Sequence, residues 1–131
     1  MSIKLSAVII TFNEAEHLDK CLSSLESVAD EILVVDSFST DRTKEICEKH
    51  DVRFIKQKFL GYKEQKNFAM SKARFNYILS VDGDEALSEQ LKNSILEING
   101  VIKQIKDMVS SGEAVKTGNL YHININPQCF Y

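Results

Sequence analysis

The chain has 131 residues, 44% hydrophobic and 27% charged, which suits one soluble globular domain with one core. Its net charge of −3 and the lack of a recognisable binding motif argue against a nucleic-acid partner, and no stretch approaches the roughly 18 apolar residues of a membrane span. Met1–Lys4 lead only into the short apolar run Ala7–Ile10, so no signal peptide is expected, and three cysteines without C-x-x-C spacing fit free thiols in a reduced, cytoplasmic setting.

Ile3–Ile10 is β-branched and apolar and reads as a buried strand. Leu18, Cys21, Leu22 and Leu25 then fall at i, i+3, i+4 and i+7, predicting a helix over 14–26 with Glu14 and Glu16 at its positive end. Glu31–Val35 is a second strand, and Asp41 begins a helix over 42–49 with Ile46 and Cys47 inward. Val52–Ile55 is a third short strand. Gly61 precedes a helix over about 63–74, in which Phe68, Ala69 and Ala73 face inward, and Tyr77–Val81 is a fourth strand. From Ser88 an apolar stripe, Leu91, Ile95, Ile98, Ile102, Ile105 and Val109, keeps helical phase, with a break expected at Asn99-Gly100 and an end at Ser110-Ser111-Gly112. Leu120–Ile125 alternates and predicts a last strand stopped by Pro127. Four alternations of strand and helix call for an α/β protein, a three-layer α/β/α sandwich around a mostly parallel sheet.

Such sheets bind ligands at the carboxyl ends of their strands. The polar clusters sit at those ends: Thr11–Glu14, Asp36–Asp41 and Asp82–Glu85. In Asp82-Gly83-Asp84, two carboxylates two residues apart can converge on a divalent cation, magnesium or manganese, once the chain leaves the sheet. An acidic turn capping the next helix is the plainer alternative. Asp36-Ser37-Phe38-Ser39-Thr40-Asp41 offers helix caps, or a nucleoside clamp in which Asp36 accepts a hydrogen bond from a base N–H or a ribose hydroxyl. Thr11-Phe12-Asn13-Glu14 is likewise a strand exit, or an amide and a hydroxyl for the same nucleoside.

Taken in order, T-x-N-E, D-S-x-S-T-D, G-Y-x-E-Q-K-N-x-A and L-S-x-D-x-D-E resemble family 2 glycosyltransferases, most closely the branch with bacterial lipopolysaccharide-core glucosyltransferases. The resemblance covers about residues 3–98, carried by Leu5–Glu14, Glu31–Thr43, Leu60–Ala69 and Ile78–Glu85. It implies a GT-A fold, a nucleotide-diphosphate sugar donor, a divalent cation, and transfer to a glycan or lipid-linked acceptor with inversion. Carried over, Thr11, Asn13 and Glu14 line the nucleoside pocket, and Asp36 contacts the base in a loop with Ser39, supported by Asp41. Lys66 faces the phosphates with Asn67 beside it. Asp84 is the principal metal ligand, and Asp82 touches the ribose or the metal shell. Glu85 is expected to support this loop or cap the next helix, and the resemblance names no catalytic base.

The likeness fades after about Ile98, which divides a donor-binding core over 1–98 from a divergent segment over 99–131 within one domain. A module that binds donor without turnover is therefore the alternative, and a magnesium-dependent phosphatase built on D-x-D a weaker one. Residues 53–74 hold seven bases against one acid, a net of +6 that leaves −9 elsewhere. This segment reads as a solvated face, or as a patch for phosphate or an anionic membrane met peripherally from the cytoplasmic side. His17, His50 and His122 lack metal-ligand spacing and are expected to be surface or packing residues.

Overall fold

A computed structural model describes residues 4–97 and the backbone of 121–123. Strands β1 (Leu5–Thr11), β2 (Glu31–Asp36), β3 (Arg53–Lys56), β4 (Tyr77–Asp82) and β5 (Tyr121–Ile123) form one sheet in the order β3-β2-β1-β4-β5, every pairing parallel. Helices α1 (Ala15–Leu25), α2 (Thr43–Lys49) and α3 (Tyr62–Ser71) lie between the first four strands, and 89–97 are helical as well. Each helix carries the chain back across the sheet, which is what parallel pairing requires.

Alternation along the strands divides the core into two layers. Leu5, Ala7 and Ile9 of β1, with Ile32, Val34, Leu79 and Val81, meet Leu18, Cys21, Leu22 and Leu25 of α1 and Cys47 of α2. Leu87, Leu91 and Ile95 join the same layer, so the start of the apolar stripe packs as its spacing predicts. Val8, Leu33, Val35 and Ile78 point the other way, onto Ala69 of α3, with Phe68 and Ala73 partly buried beside it. Burial pushes the thiols of Cys21 and Cys47 up to about 12, so both act as small apolar groups. No described helix is long and apolar enough to cross a membrane.

Several boundaries differ from those expected, for physical reasons. The third strand begins one residue later, because Val52 turns to donate its N–H to the carbonyl of His50 before Arg53 pairs with Leu33. The third helix stops at Ser71, not 74. Beyond it the Lys72 carbonyl accepts from Arg53, and the Arg74 N–H donates to Glu31 at 2.9 Å. Glu31 is a buried carboxylate at the amino end of β2, and it also accepts from the Ser6 hydroxyl at 2.6 Å and from Arg53. Burial works against its charge, but these hydrogen bonds outweigh it and hold the carboxyl below its ordinary range. The remaining stripe from Ile98, the 99–100 break, Ser110–Gly112, Pro127, Cys129 and the division at 98 lie outside the described residues, as do the side chains of Tyr121, His122 and Ile123.

His50 is half-buried and lies between two carboxylates, Glu26 at 2.6 Å from Nδ1 and Asp19 at 2.9 Å from Nε2. A neutral imidazole donates through one nitrogen only, so the imidazolium alone satisfies both partners. Burial lowers its pKa, yet the two hydrogen bonds more than offset this and the net shift is upward. A raised folded pKa contributes stability that is complete below the unfolded value of about 6.5 and is lost as pH rises through the folded value. Urea unfolding at pH 6 and pH 9 is expected to show that loss, and His50→Gln to remove it while costing roughly 0.5–1 kcal/mol at pH 6. An undiminished pH slope in the variant would contradict the pairing.

Candidate active site

The exits of β1 and β2 are laced together by side chains. Asp36 is only 2% exposed, and its carboxylate accepts the Thr11 hydroxyl at 2.7 Å, the Ser39 N–H at 2.8 Å and the Ser39 hydroxyl. Asn13, held at φ 52°, donates its N–H to Ser39 Oγ at 2.7 Å and accepts the Thr40 N–H at 2.8 Å. Asp41 accepts the Ala15 N–H at 3.1 Å and the Thr43 N–H at 3.0 Å, and Thr43 Oγ1 accepts the Glu14 N–H at 3.0 Å. The first amides of α1, which has no side-chain cap of its own, are thus capped by the neighbouring loop. Desolvation works against the Asp41 charge, but these hydrogen bonds together outweigh it and hold the carboxyl below its usual range.

A cavity of about 670 Å³ opens beside these loops at the carboxyl ends of the strands. Ile10, Thr11, Phe12 and Glu14 line it from β1 and its exit, and Ser37 from the exit of β2. Phe59, Tyr62, Gln65 and Lys66 close it from the loop before α3 and from α3 itself, and Asp82, Gly83 and Asp84 from the exit of β4. Of the residues singled out from sequence, Thr11, Glu14, Lys66, Asp82 and Asp84 face this space. Asn13, Asp36, Ser39 and Asp41 stand behind it as the lacing just described, and Asn67 lies on the exposed side of α3.

Sequence reasoning passed over Phe12, Ser37, Phe59, Tyr62 and Gln65. Large aromatic side chains placed among polar residues, Phe12 and Phe59 in loops and Tyr62 at the start of α3, were the available signal for these three. Gln65, four residues before the inward Ala69, is fully buried. Its amide accepts the Leu60 N–H at 3.1 Å and donates to Ser37 Oγ at 3.2 Å, joining two loops of the rim.

Carboxylate oxygens of Asp82, Asp84 and Glu85 lie within 4.8 Å of one another, and Lys66 Nζ is 3.4 Å from Asp82. Glu85 therefore belongs to the acid cluster. Desolvation first, then its hydrogen bond to Asp82 and the charges of Asp82 and Asp84, push its carboxyl up to about 7. Glu14 is raised too, by desolvation and by Asp84. Gly83 lets this loop approach β1, since a Cβ there would stand 3.2 Å from Glu14 Cγ and 3.3 Å from Thr11 Cγ2. Three converging hard oxygen donors fit a magnesium or manganese ion, whose charge would relieve the repulsion that otherwise holds a proton on Glu85.

A parallel sheet covered by helices on both faces, with its acids and a cavity at the carboxyl ends, defines an α/β protein of GT-A type. The model of glycosyl transferase family 2 matches residues 6–98, and the chain belongs to that family. An uncharacterized glycosyltransferase of Rickettsia bellii (strain RML369-C) is 42% identical over 70% of this chain and 31% of its own length. The lipopolysaccharide core biosynthesis glycosyltransferase LpsC of Rhizobium meliloti (strain 1021) is 37% identical over 73% of this chain and 37% of its own. The chain thus spans about a third of the length of these relatives. Among solved structures, S. aureus TarS 1-349 in complex with UDP superposes with a TM-score of 0.66 at 24% identity, over 79% of this chain and 33% of that one.

Two outcomes test this geometry. Asp36→Ala is expected to cost roughly 2–3 kcal/mol in chemical denaturation, because it strands buried donors, and Ser37→Ala under about 1 kcal/mol. For Glu85, a folded pKa of about 7 against an ordinary 4.5 means a contribution present below pH 4.5 and lost as pH rises through 7. Glu85→Gln should therefore raise the thermal midpoint of the metal-free protein at pH 8, and manganese should then stabilise the variant less than the parent.

Proposed function

We propose that this chain carries the donor site of a glycosyltransferase that moves a sugar from a nucleotide-diphosphate sugar, a UDP-sugar, to a glycan or lipid-linked acceptor with inversion. One observation carries the reading: loops from three strands and the start of α3 meet around a single cavity lined by both acids and aromatics. Phe12, Thr11 and Ser37 take the nucleoside, the ring by stacking and the hydroxyls by hydrogen bonding. Asn13, Asp36, Ser39 and Asp41 act on it through the loops they hold. Lys66 meets the diphosphate as a point charge.

Glu14, Asp82 and Asp84 make this wall acidic, so a diphosphate is repelled unless a cation stands between them. Asp84 and Asp82, with Glu85, would hold magnesium or manganese, which supplies positive charge to the departing diphosphate when bound. UDP bound to TarS supports the choice of base, and the likeness to LpsC, named for lipopolysaccharide core biosynthesis, supports a lipopolysaccharide acceptor. Catalysis is proposed for a protein of the relatives' full length. Donor binding without turnover is the second reading for this chain, favoured by its coverage of about a third of them.

Calorimetry with UDP-glucose and manganese is the test. Binding should weaken about 10–100-fold in Asp84→Ala, as loss of a charged contact implies, and by about tenfold in Lys66→Ala. No heat at millimolar donor, or affinity indifferent to Asp84→Ala, would overturn the assignment. Donor hydrolysis by the purified chain would reject the binding-only reading.

A further inference from the structure

The basic segment 53–74 is divided by the fold. Toward the amino ends of the strands its charges are occupied: Arg53 and Arg74 pair with Glu31, and Lys72 lies 5.4 Å from the centre of the Phe68 ring. At the opposite end, Lys56, Lys58 and Lys63 are exposed, and among the described residues they form no ion pair. Between them stand Phe59, Leu60 and Tyr62, which are 48%, 48% and 75% exposed. Phe59 and Tyr62 pack edge to face at 5.1 Å, and Gly61, at φ 102°, makes the tight entry into α3 that brings them together. Phe12 and Phe38 are also more than half exposed on loops of the same rim, and Phe38 is held at φ 58°, a conformation an aromatic residue adopts only at a cost. Five of the six large apolar side chains exposed among the described residues thus gather at the carboxyl ends of the strands.

A loop facing only water has no use for this composition, and a donor in the cavity covers only part of it, since Leu60 and the three lysines do not line that space. Aromatic and aliphatic tips flanked by lysines suit the boundary of an anionic bilayer, where the apolar groups enter the headgroup layer and the ammonium groups meet lipid phosphates. We infer that the loop between β3 and α3 docks the mouth of the cavity onto an anionic lipid surface. Leu60, Phe59 and Tyr62 would be inserted, with Lys56, Lys58 and Lys63 on the headgroups. This deepens the proposed function by naming the surface that faces a lipid-linked acceptor, and docking requires no bound donor.

The test is sedimentation of the full chain with phosphatidylcholine vesicles, with and without phosphatidylglycerol as about a third of the lipid. Binding is expected only to the anionic vesicles and should weaken with salt. Replacing Lys56, Lys58 and Lys63 together by Gln should reduce it roughly 100-fold, at about fivefold for each lysine. Leu60→Ser should weaken it several-fold while leaving UDP-glucose affinity unchanged. Failure to bind anionic vesicles, equal binding to neutral ones, or indifference to both variants would overturn the inference. So would a dimer in vesicle-free solution that Leu60→Ser dissolves, because the patch would then be a self-contact. Vesicle binding that persists where UDP-glucose gives no heat would sink the donor site alone.

Discussion

A buried carboxylate at the end of β2 sets the position of everything around the cavity. Taking Asp36 out of water is costly unless hydrogen bonds replace its hydration, and Thr11 and Ser39 supply them. Because one partner ends β1 and the other lies in the loop after β2, satisfying one charge fixes the exits of two strands against each other. Asn13, Asp41 and Thr43 extend the same lacing to the start of α1. Ser37 is left facing the cavity, and Phe38 is held in a conformation it would not choose alone.

The two ends of the sheet show what distinguishes a carboxylate whose charge is compensated from one whose charge is not. Glu31, at the amino end, is buried but surrounded by a hydroxyl, a backbone amide and guanidinium groups, and its charge is stabilised. Glu85, at the carboxyl end, has carboxylates for neighbours and only Lys66 to oppose them, and its charge is penalised. The former group is finished by the protein itself. The latter carries a charge that a proton or a divalent cation would relieve. The basic segment follows the same division: Arg53 and Arg74 are paired with Glu31 at one end, while at the other Lys66 meets Asp82 and Lys56, Lys58 and Lys63 form no ion pair among the described residues.

The sheet and its two apolar layers were legible because parallel strands are buried on both faces and carry continuous apolar, mostly β-branched runs, as in Val8–Ile10 and Ile32–Val35. The ends of elements were harder to read. Ser71 ends α3 because Glu31, forty residues earlier in the chain, claims the Arg74 amide, and no local signal announces that partner. The same holds for α1, whose capping groups lie on another loop.

For the site, sequence alone determined that three polar clusters would leave the sheet on one side, since the alternation of strand and helix puts every strand exit at the same edge. It also determined that acids would stand after β4, and that the chain follows the motif order of its family. Only the tertiary structure decided which member of each cluster reaches the cavity. Thr11 and Asp36 are register partners, so their side chains meet each other, and Asp36 is consumed within the wall while its neighbour Ser37 reaches the space. Hydrogen bonds between loops far apart in sequence make that choice, and a residue's type does not reveal whether its partner will be a ligand or the protein itself.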